Sequence, residues 1–128
     1  MPDTPASHDE RLTHPLRHLA EAYNARDLDG LSALFDDDGA LVPEPGTSLT
    51  GLARREGLAG FLELGGTMSV EVLDVVETGD IALTRTRWSI DQGNGTPIAD
   101  IGAEVLRRQA DGSWRFLIDS PFSNRAAA

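Results

Sequence analysis

The apolar residues near the start of the chain recur with the period of an α-helix. Leu16, Leu19, Ala20 and Tyr23 fall at positions i, i+3, i+4 and i+7, which places them on one helical face. Pro15, directly before them, suits the first turn of a helix better than its interior. The pattern therefore predicts a first helix that starts at Pro15 and ends near residues 24–26.

Two further helices are predicted downstream. Asp27 is a suitable N-cap for a helix whose apolar residues are Leu28, Leu31, Leu34 and Phe35. We expect residues 36–39 (DDDG) to end that helix and residues 40–42 to form a short strand. The third helix is predicted to begin near Thr50 and to carry Leu58, Phe61 and Leu62 on one face.

The second half of the chain alternates between apolar and polar residues with a period of two, which is typical of β-strands. The predicted strands are residues 68–77, 81–91, 97–109 and 114–119. Asn-Gly and Asp-Gly pairs separate the last three, and both favour tight turns between antiparallel strands. Because the helices come first and the strands follow, the order predicts an α+β fold with an antiparallel sheet.

One domain is expected, because the chain shows no internal repeat, linker or low-complexity tract. Its predicted span is residues 14–122. Residues 1–13 are predicted to form a polar leader, in which Ser7 and Glu10 have the spacing of a capping box that could begin a short helix, and residues 123–128 a disordered tail.

The composition excludes several classes of function. The 128 residues include no cysteine, so disulfide scaffolds, thiolate nucleophiles and cysteine zinc sites are excluded. Twenty-one acidic residues against eleven basic ones give a net charge of −10, which disfavours nucleic acid as a partner. No apolar run approaches the ~20 residues that span a bilayer, and the polar N-terminus does not resemble a signal peptide. We therefore expect a cytoplasmic protein without a membrane partner.

No metal or cofactor is expected. His14 and His18 have the i, i+4 spacing of a helical metal pair, but Pro15 disfavours helical geometry at His14, and no third ligand lies nearby in the sequence. Residues 36–39 lack the loop length and the distal Glu of an EF-hand. Phosphate-binding and dinucleotide-binding glycine motifs are also missing from the sequence.

Three segments carry a recognisable combination of residues. They are residues 23–31 (YNARDLDGL), 34–39 (LFDDDG) and 111–122 (DGSWRFLIDSPF), with Gly51 at the predicted start of the third helix. Over about residues 12–122 the chain resembles the nuclear transport factor 2-like superfamily, and most closely its SnoaL-like and ketosteroid isomerase-like branch. The resemblance implies a cone, in which a curved antiparallel sheet wraps around three helices as in a cystatin-like α+β barrel.

The resemblance also implies one deep pocket in the cone and a homodimer joined through the sheet. It does not choose an activity, because the superfamily contains isomerases, cyclases, epoxide hydrolases, dehydratases and non-catalytic binders. Alignment with ketosteroid isomerase-like proteins points alternate strand residues into the cone. The inward residues are Thr84, Thr86 and Trp88, then Asp100, Gly102, Glu104 and Leu106, and finally Leu117 and Asp119. The outward residues then include Ile81, Leu83, Trp114, Phe116 and Ile118.

Glu104 lies in the most apolar stretch of its strand, residues 101–106. Burial there would raise the pKa of its carboxyl, which could then serve as a general acid or hydrogen-bond donor near neutral pH. The resemblance matches Glu104 to the protonated aspartate of ketosteroid isomerases. The alternative is a carboxylate that is paired with an arginine or exposed to solvent.

Asp119 lies between apolar residues near the end of the last predicted strand, where related folds place a polar pocket residue. Together with Glu104 it could share acid/base work, the two pKa values being split by mutual repulsion. The alternative is that Asp119 caps the terminal turn through its side-chain oxygens.

Tyr23 and Trp88 are the aromatic candidates. The Tyr23 hydroxyl could polarise a substrate carbonyl from inside the cone, or it could be an ordinary core tyrosine with a satisfied hydroxyl. Trp88 could form a wall for a flat ligand, or simply pack in the core. The other predicted ligand-binding residues are Phe61, Thr84, Thr86, Leu19 and Leu117.

Two positions depart from the isomerase pattern. Pro43 stands where that pattern has its proton-shuttling aspartate, with Glu44 adjacent, and Leu19 stands where it has its oxyanion tyrosine. Isomerisation of 3-ketosteroids by the familiar residues is therefore not expected. Glu44 is kept as a second candidate base.

The sequence thus predicts a cofactor-free acid/base enzyme of the isomerase, cyclase or dehydratase type, acting on a small apolar or polycyclic molecule. Glu104 would be the acid or donor, and Asp119 or Glu44 the base. The alternative is a non-catalytic ligand-binding or assembly domain of the same fold. An open cavity of several hundred Å³ would favour the enzyme, and a filled cone would favour the binder.

Overall fold

The computed structural model describes residues 10–124 as three helices and one five-stranded sheet. The helices are α1 (Glu10–Asn24), α2 (Leu28–Ala33) and α3 (Gly51–Leu62). The strands are β1 (Phe35–Leu41), β2 (Thr67–Thr78), β3 (Ile81–Asp91), β4 (Ile98–Arg108) and β5 (Trp114–Ser120). None of the helices described is long and apolar enough to cross a membrane.

The sheet has the strand order β1-β5-β4-β3-β2. The four strands of the second half of the chain pair antiparallel with their neighbours, and β1 pairs parallel with β5. Bulges in three of these pairings bend the sheet, because an extra residue on one strand increases local twist. The helices cover the inner face, and the buried core lies between them and the sheet. The predicted α+β fold with a curved sheet around three helices is confirmed.

The first helix begins earlier than predicted. Pro15 lies inside α1, where it forfeits one helical hydrogen bond, while Leu12 and Leu16 on the same face are completely buried. Burial of this apolar face outweighs the cost of the proline, so residues 10–13 belong to α1 and not to a leader. The remaining predicted leader, residues 1–9, and residues 125–128 of the predicted tail lie outside the described residues. Ser123, also assigned to the tail, donates a hydrogen bond to the Ile101 carbonyl at 2.7 Å.

The predicted end of the second helix is wrong. The helix is capped by Asp27 as predicted, but it ends at Ala33, and the three consecutive aspartates lie in β1. Asp36 is buried in that strand, where its carboxylate accepts two hydrogen bonds from Arg107 of β4. The ion pair joins residues 71 positions apart in the sequence. It compensates the cost of burying the Asp36 charge, which the local sequence pattern alone had placed at the end of a helix.

The predicted facing of residues is confirmed on β3 and β4 and is wrong on part of β5. Trp114 and Phe116 pack in the core instead of facing outward, and Ile118 is exposed. The reason is a bulge: Leu106 pairs with Phe116 and Val105 pairs with Ile118, so Leu117 is an extra residue on β5. Asp119, beyond the bulge, still faces inward.

Candidate functional site

A cavity of about 40 Å³ lies between the helices and the inner face of the sheet. It has room for a few water molecules and is much smaller than the several hundred Å³ that would favour an enzyme by size alone. Its polar lining residues are Thr86, Glu104 and Asp119, and its remaining walls are apolar or aromatic. A ligand larger than a few water molecules therefore requires side chains around the cavity to move.

Glu104 and Asp119 form a carboxyl pair in this cavity. They stand directly opposite each other on β4 and β5, and their side chains are buried, with 3% and 6% of their surfaces exposed. Residues in such cross-strand positions on one face have Cβ atoms about 5 Å apart. Strand pairing thus brings together two acidic residues that are separated in the sequence by the end of β4, a turn and most of β5.

The Glu104 carboxyl is held by two threonine hydroxyls of β3. Thr84 Oγ1 donates to Oε1 and Thr86 Oγ1 donates to Oε2, each at 2.7 Å. Burial raises the pKa of Glu104, and the two hydrogen bonds oppose that rise. No arginine reaches this carboxyl within residues 10–124, so the alternatives of an ion pair or an exposed carboxylate are wrong.

The Asp119 side chain has different surroundings. Its backbone carbonyl accepts a hydrogen bond from the Val42 amide at 2.8 Å, but no donor within the described part of the chain reaches its carboxyl oxygens. Burial, and secondly the charge of Glu104, raise the pKa of Asp119 well above its usual value. Its side chain does not cap the terminal turn, so that alternative is wrong. The pair therefore favours a single shared proton that resides mainly on Asp119.

Tyr23 is completely buried and lines the cavity, but its hydroxyl is oriented toward the backbone. The oxygen lies 2.9 Å from the Phe61 carbonyl and 2.8 Å from the Gly65 carbonyl. A phenol has one proton to donate, and here it is directed to these carbonyls and away from any bound ligand. Burial raises the pKa of Tyr23, an effect that the Arg26 charge opposes. The structure thus favours the alternative of a core tyrosine with a satisfied hydroxyl.

Trp88 lines the cavity and also anchors the end of the chain. Its Nε1 donates to the Pro121 carbonyl at 2.7 Å, and its ring meets Phe122 edge-on with centroids 5.3 Å apart. Phe122 in turn stacks against Phe61, another wall of the cavity. The segment after β5 is therefore fixed against two residues of the cavity wall, and its Pro121 lines the cavity.

Two predicted site residues lie elsewhere. Glu44 is exposed in the loop between β1 and α3 and does not line the cavity, because the two prolines around it hold that loop outside the sheet. Leu117 is the bulge residue of β5 and is absent from the lining. Leu19 lines the cavity as predicted, and Thr84 supports Glu104 from behind it. The lining residues that sequence analysis did not assign to the pocket are Leu31, Leu41, Leu58, Met68 and Pro121.

The periodic apolar pattern did predict that some of these lining residues are buried. Leu31 and Leu58 lie on the predicted apolar faces of the second and third helices, and Met68 begins the alternation of β2. These positions marked burial, but a core residue and a pocket residue have the same periodicity. Among residues 10–124, no three histidines or acidic residues are grouped so that they could hold a metal ion.

Replacing Asp119 with asparagine should flatten the pH dependence of stability. The native state holds a proton on Asp119 above pH 3.8, where an ordinary aspartate in the unfolded chain has lost it. The free energy of unfolding of the wild type therefore falls as the pH rises through the native pKa, by up to ~1.4 kcal/mol per pH unit. Denaturant unfolding of both proteins at a series of pH values above 3.8 measures this slope.

Asp37→Asn is the matched control for that experiment. Asp37 is an exposed aspartate of β1, so its replacement removes the same charge outside the cavity. We expect the control to keep the wild-type slope. Equal slopes for Asp119→Asn and the wild type would contradict the protonated state of Asp119.

Comparisons with known proteins identify the family. Residues 16–116 match the SnoaL-like domain family. Among proteins of curated function, no significant sequence match is found. Solved structures match well: a ketosteroid isomerase-like protein of Erwinia carotovora has 26% identity and a TM-score of 0.63, covering 88% of this chain and 95% of that chain.

Two further structures have the same fold. A proposed calcium/calmodulin-dependent protein kinase type II association domain of Thiobacillus denitrificans has 23% identity and a TM-score of 0.68, covering 80% of this chain and 86% of that one. A proposed dehydratase of the nuclear transport factor 2-like family from Streptomyces avermitilis has 24% identity and a TM-score of 0.67, covering 86% and 91%. The family match extends over most of the residues that form the helices, the sheet and the cavity, so the chain belongs to the SnoaL-like domain family.

Proposed function

We propose that the protein catalyses proton transfer on a small neutral molecule bound in the apolar cavity. The observation that carries this proposal is the carboxyl pair, whose two members share one cavity but have unequal surroundings. Glu104, held by two hydroxyl donors, is the carboxylate base, and Asp119, without a donor, is the carboxylic acid. This reverses the assignment made from the sequence, where Glu104 was the expected acid.

The reaction type follows from this pair. A carboxylate removes a proton from a carbon beside a carbonyl group, while the neutral Asp119 donates a hydrogen bond to the carbonyl oxygen. Such a step begins isomerisations, cyclisations and dehydrations, and it needs no cofactor. The ketosteroid isomerase-like and dehydratase relatives are compatible with this chemistry.

A second candidate function is non-catalytic binding or assembly. It is favoured by the small size of the cavity, about 40 Å³, and by the likeness to an association domain. In that case the carboxyl pair would hold a ligand without converting it.

Hydrogen–deuterium exchange tests the proposed function directly. Acetone and cyclopentanone are small neutral ketones whose α-protons exchange only after a base removes them. We expect the protein in D₂O to accelerate this exchange beyond the same concentration of free carboxylate, with saturation at high ketone concentration, as followed by proton NMR. Binding of the ketones without accelerated exchange would favour the second candidate function.

We also propose a homodimer joined through the outer face of the sheet. Val76, Leu83, Val105 and Ile118 are register partners on four adjacent strands and form one apolar row across that face. Three members are well exposed, at 61% for Val76, 47% for Leu83 and 41% for Ile118. Contiguous apolar residues on an exposed sheet favour an interface between copies.

Leu83→Arg should weaken that dimer by about 10- to 100-fold in dissociation constant, because a charge would be buried at the centre of the row. Light scattering and sedimentation over a range of concentrations measure the effect. Leu52→Arg is the control, since Leu52 is 72% exposed on α3, away from the sheet. A wild-type monomer at micromolar concentration would contradict the proposal.

A further inference from the structure

The cavity contains acidic groups without a positive counterpart. Its titratable lining residues are Glu104 of β4, Asp119 of β5 and Tyr23 of α1, whose hydroxyl is directed to backbone carbonyls. The other elements around the cavity contribute uncharged residues, namely Leu31 of α2, Leu58 and Phe61 of α3, Leu41 of β1, Met68 of β2, and Thr86 and Trp88 of β3. No lysine, arginine or histidine from residues 10–124 lines it.

Among residues 10–124, the third buried carboxylate, Asp36, has its charge neutralised by the protein itself. Asp36 is 4% exposed, and it accepts hydrogen bonds from Arg107 at 2.8 and 3.0 Å and from Gln109 at 2.8 Å. Its charge is therefore neutralised within the protein. Asp119 is buried to nearly the same extent and lines the cavity. Its carboxyl accepts no hydrogen bond from any described residue. Asp119 is instead kept uncharged by its proton, and a cationic occupant of the cavity would replace that proton as Arg107 neutralises Asp36.

Two further features favour a positively charged occupant. Tyr23, Phe61 and Trp88 line the same cavity, and aromatic rings attract cations that lie over their faces. The net charge of −10 creates a field around the whole molecule that attracts cations and repels anions. A carboxylate or phosphate ligand would meet repulsion outside the cavity and again beside the carboxyl pair.

We propose that the cavity binds a small primary amine, whose ammonium group lies between Glu104 and Asp119 and whose alkyl chain lies against the apolar walls. The inference concerns the same cavity as the proposed proton transfer but a different ligand. An amine held there leaves no protonated carboxyl, so it would compete with the neutral substrate and block the proposed reaction. Before binding, the two carboxyls share one proton and carry one negative charge. Binding of the ammonium ion leaves both carboxylates ionised and releases that proton to solvent, so charge and protons balance.

Three molecules of similar length and different charge test this inference. They are n-butylamine, 1-butanol and butyrate, which at neutral pH are a cation, a neutral molecule and an anion. We expect the amine to bind at least about 10-fold more tightly than the alcohol, because a desolvated cation between two carboxylates gains the charge-assisted contacts that the alcohol lacks. Butyrate should not bind. NMR titration measures all three affinities.

Proton release provides an independent measurement. Calorimetric titration of the amine in buffers of different ionisation enthalpy should show close to one proton released per amine bound near neutral pH, and none for the alcohol. Equal affinities for amine and alcohol, without proton release, would overturn this inference and leave the proposed proton transfer intact. Failure of all three molecules to bind, together with failure of the ketones to exchange, would overturn both.

Variants assign the effect to the carboxyl pair. Asp119→Asn should lower the affinity for n-butylamine by about 10-fold or more while changing that for 1-butanol little, because the amide has the same shape without the charge. Glu104→Gln should act in the same direction and serves as the second variant if the first fails to fold. Glu77→Gln, an exposed glutamate of β2, should bind like the wild type. Undiminished amine binding by both cavity variants would overturn the inference.

Discussion

Replacing Glu104 with glutamine is expected to slow α-proton exchange of a bound ketone by about 10²–10⁴-fold, the usual contribution of a general base. Glutamine has nearly the same shape but cannot accept a proton. The loss should appear in kcat, with KM nearly unchanged, because the residue acts on the reacting proton and contributes little to binding the neutral ketone. Proton NMR of the exchange in D₂O measures both constants.

The fold should tolerate this replacement. The hydroxyls of Thr84 and Thr86 each contact one oxygen of Glu104, and a hydroxyl can rotate to accept from an amide as well as donate to a carbonyl. Thermal stability should therefore hold or rise, since a carboxyl whose ionisation burial opposes is replaced by a neutral group. Glu77→Gln is the charge-matched control. An unchanged exchange rate in a folded Glu104→Gln variant would remove Glu104 from the mechanism.

Replacing Asp36 with alanine is expected to lower the free energy of unfolding by about 3 kcal/mol. The carboxylate of Asp36 accepts two hydrogen bonds from Arg107, one from Gln109 and one from the Asp38 amide. Alanine leaves all four of these donor groups without their acceptor. The partial exposure of Arg107, 38%, allows water to compensate some of this loss. Denaturant unfolding measures the difference.

Asp38→Ala is the matched control, because Asp38 contacts the same arginine at 3.4 Å but is 84% exposed. We expect an effect of at most about 0.5 kcal/mol from it. The pH dependence of stability in acid gives a second test. The hydrogen bonds from Arg107 hold the pKa of Asp36 well below its usual value, so its contribution is present above pH 3.8 and is lost as the pH falls toward the native pKa. A similar loss of stability in both variants would contradict the structural role of Asp36.

The sequence by itself determined the elements whose causes are local. The bounds of β2, β3, β4 and β5 differ from the prediction by one residue or match it, because period-two alternation records which residues face a core. The Asp27 cap has the same local character: its side chain accepts from the Gly30 amide three residues away. The family could be recognised from short segments, and the inward direction of Glu104 was what that resemblance implied for the alternating strand.

Only the tertiary structure decided the features that depend on residues far apart in the chain. Asp36 lies in a strand because Arg107 neutralises it, and Leu117 leaves the cavity because β5 bulges where it pairs with β4. A local pattern contains neither the partner nor the register. Predicting the partner or the register would require knowing which distant segments pair in the sheet, and no spacing rule in the sequence gives that pairing.

The chemistry of the site was decided in the same way. The sequence proposed Glu104 and Asp119 as a pair, but the order of their proton affinities depends on Thr84 and Thr86, which lie 20 and 18 residues from Glu104 and hold only that carboxyl. The Tyr23 hydroxyl is likewise directed by the carbonyls of Phe61 and Gly65. A pKa is set by desolvation and by the hydrogen-bond donors that lie within a few ångströms of the titrating group. Only the folded chain decides which residues occupy that space.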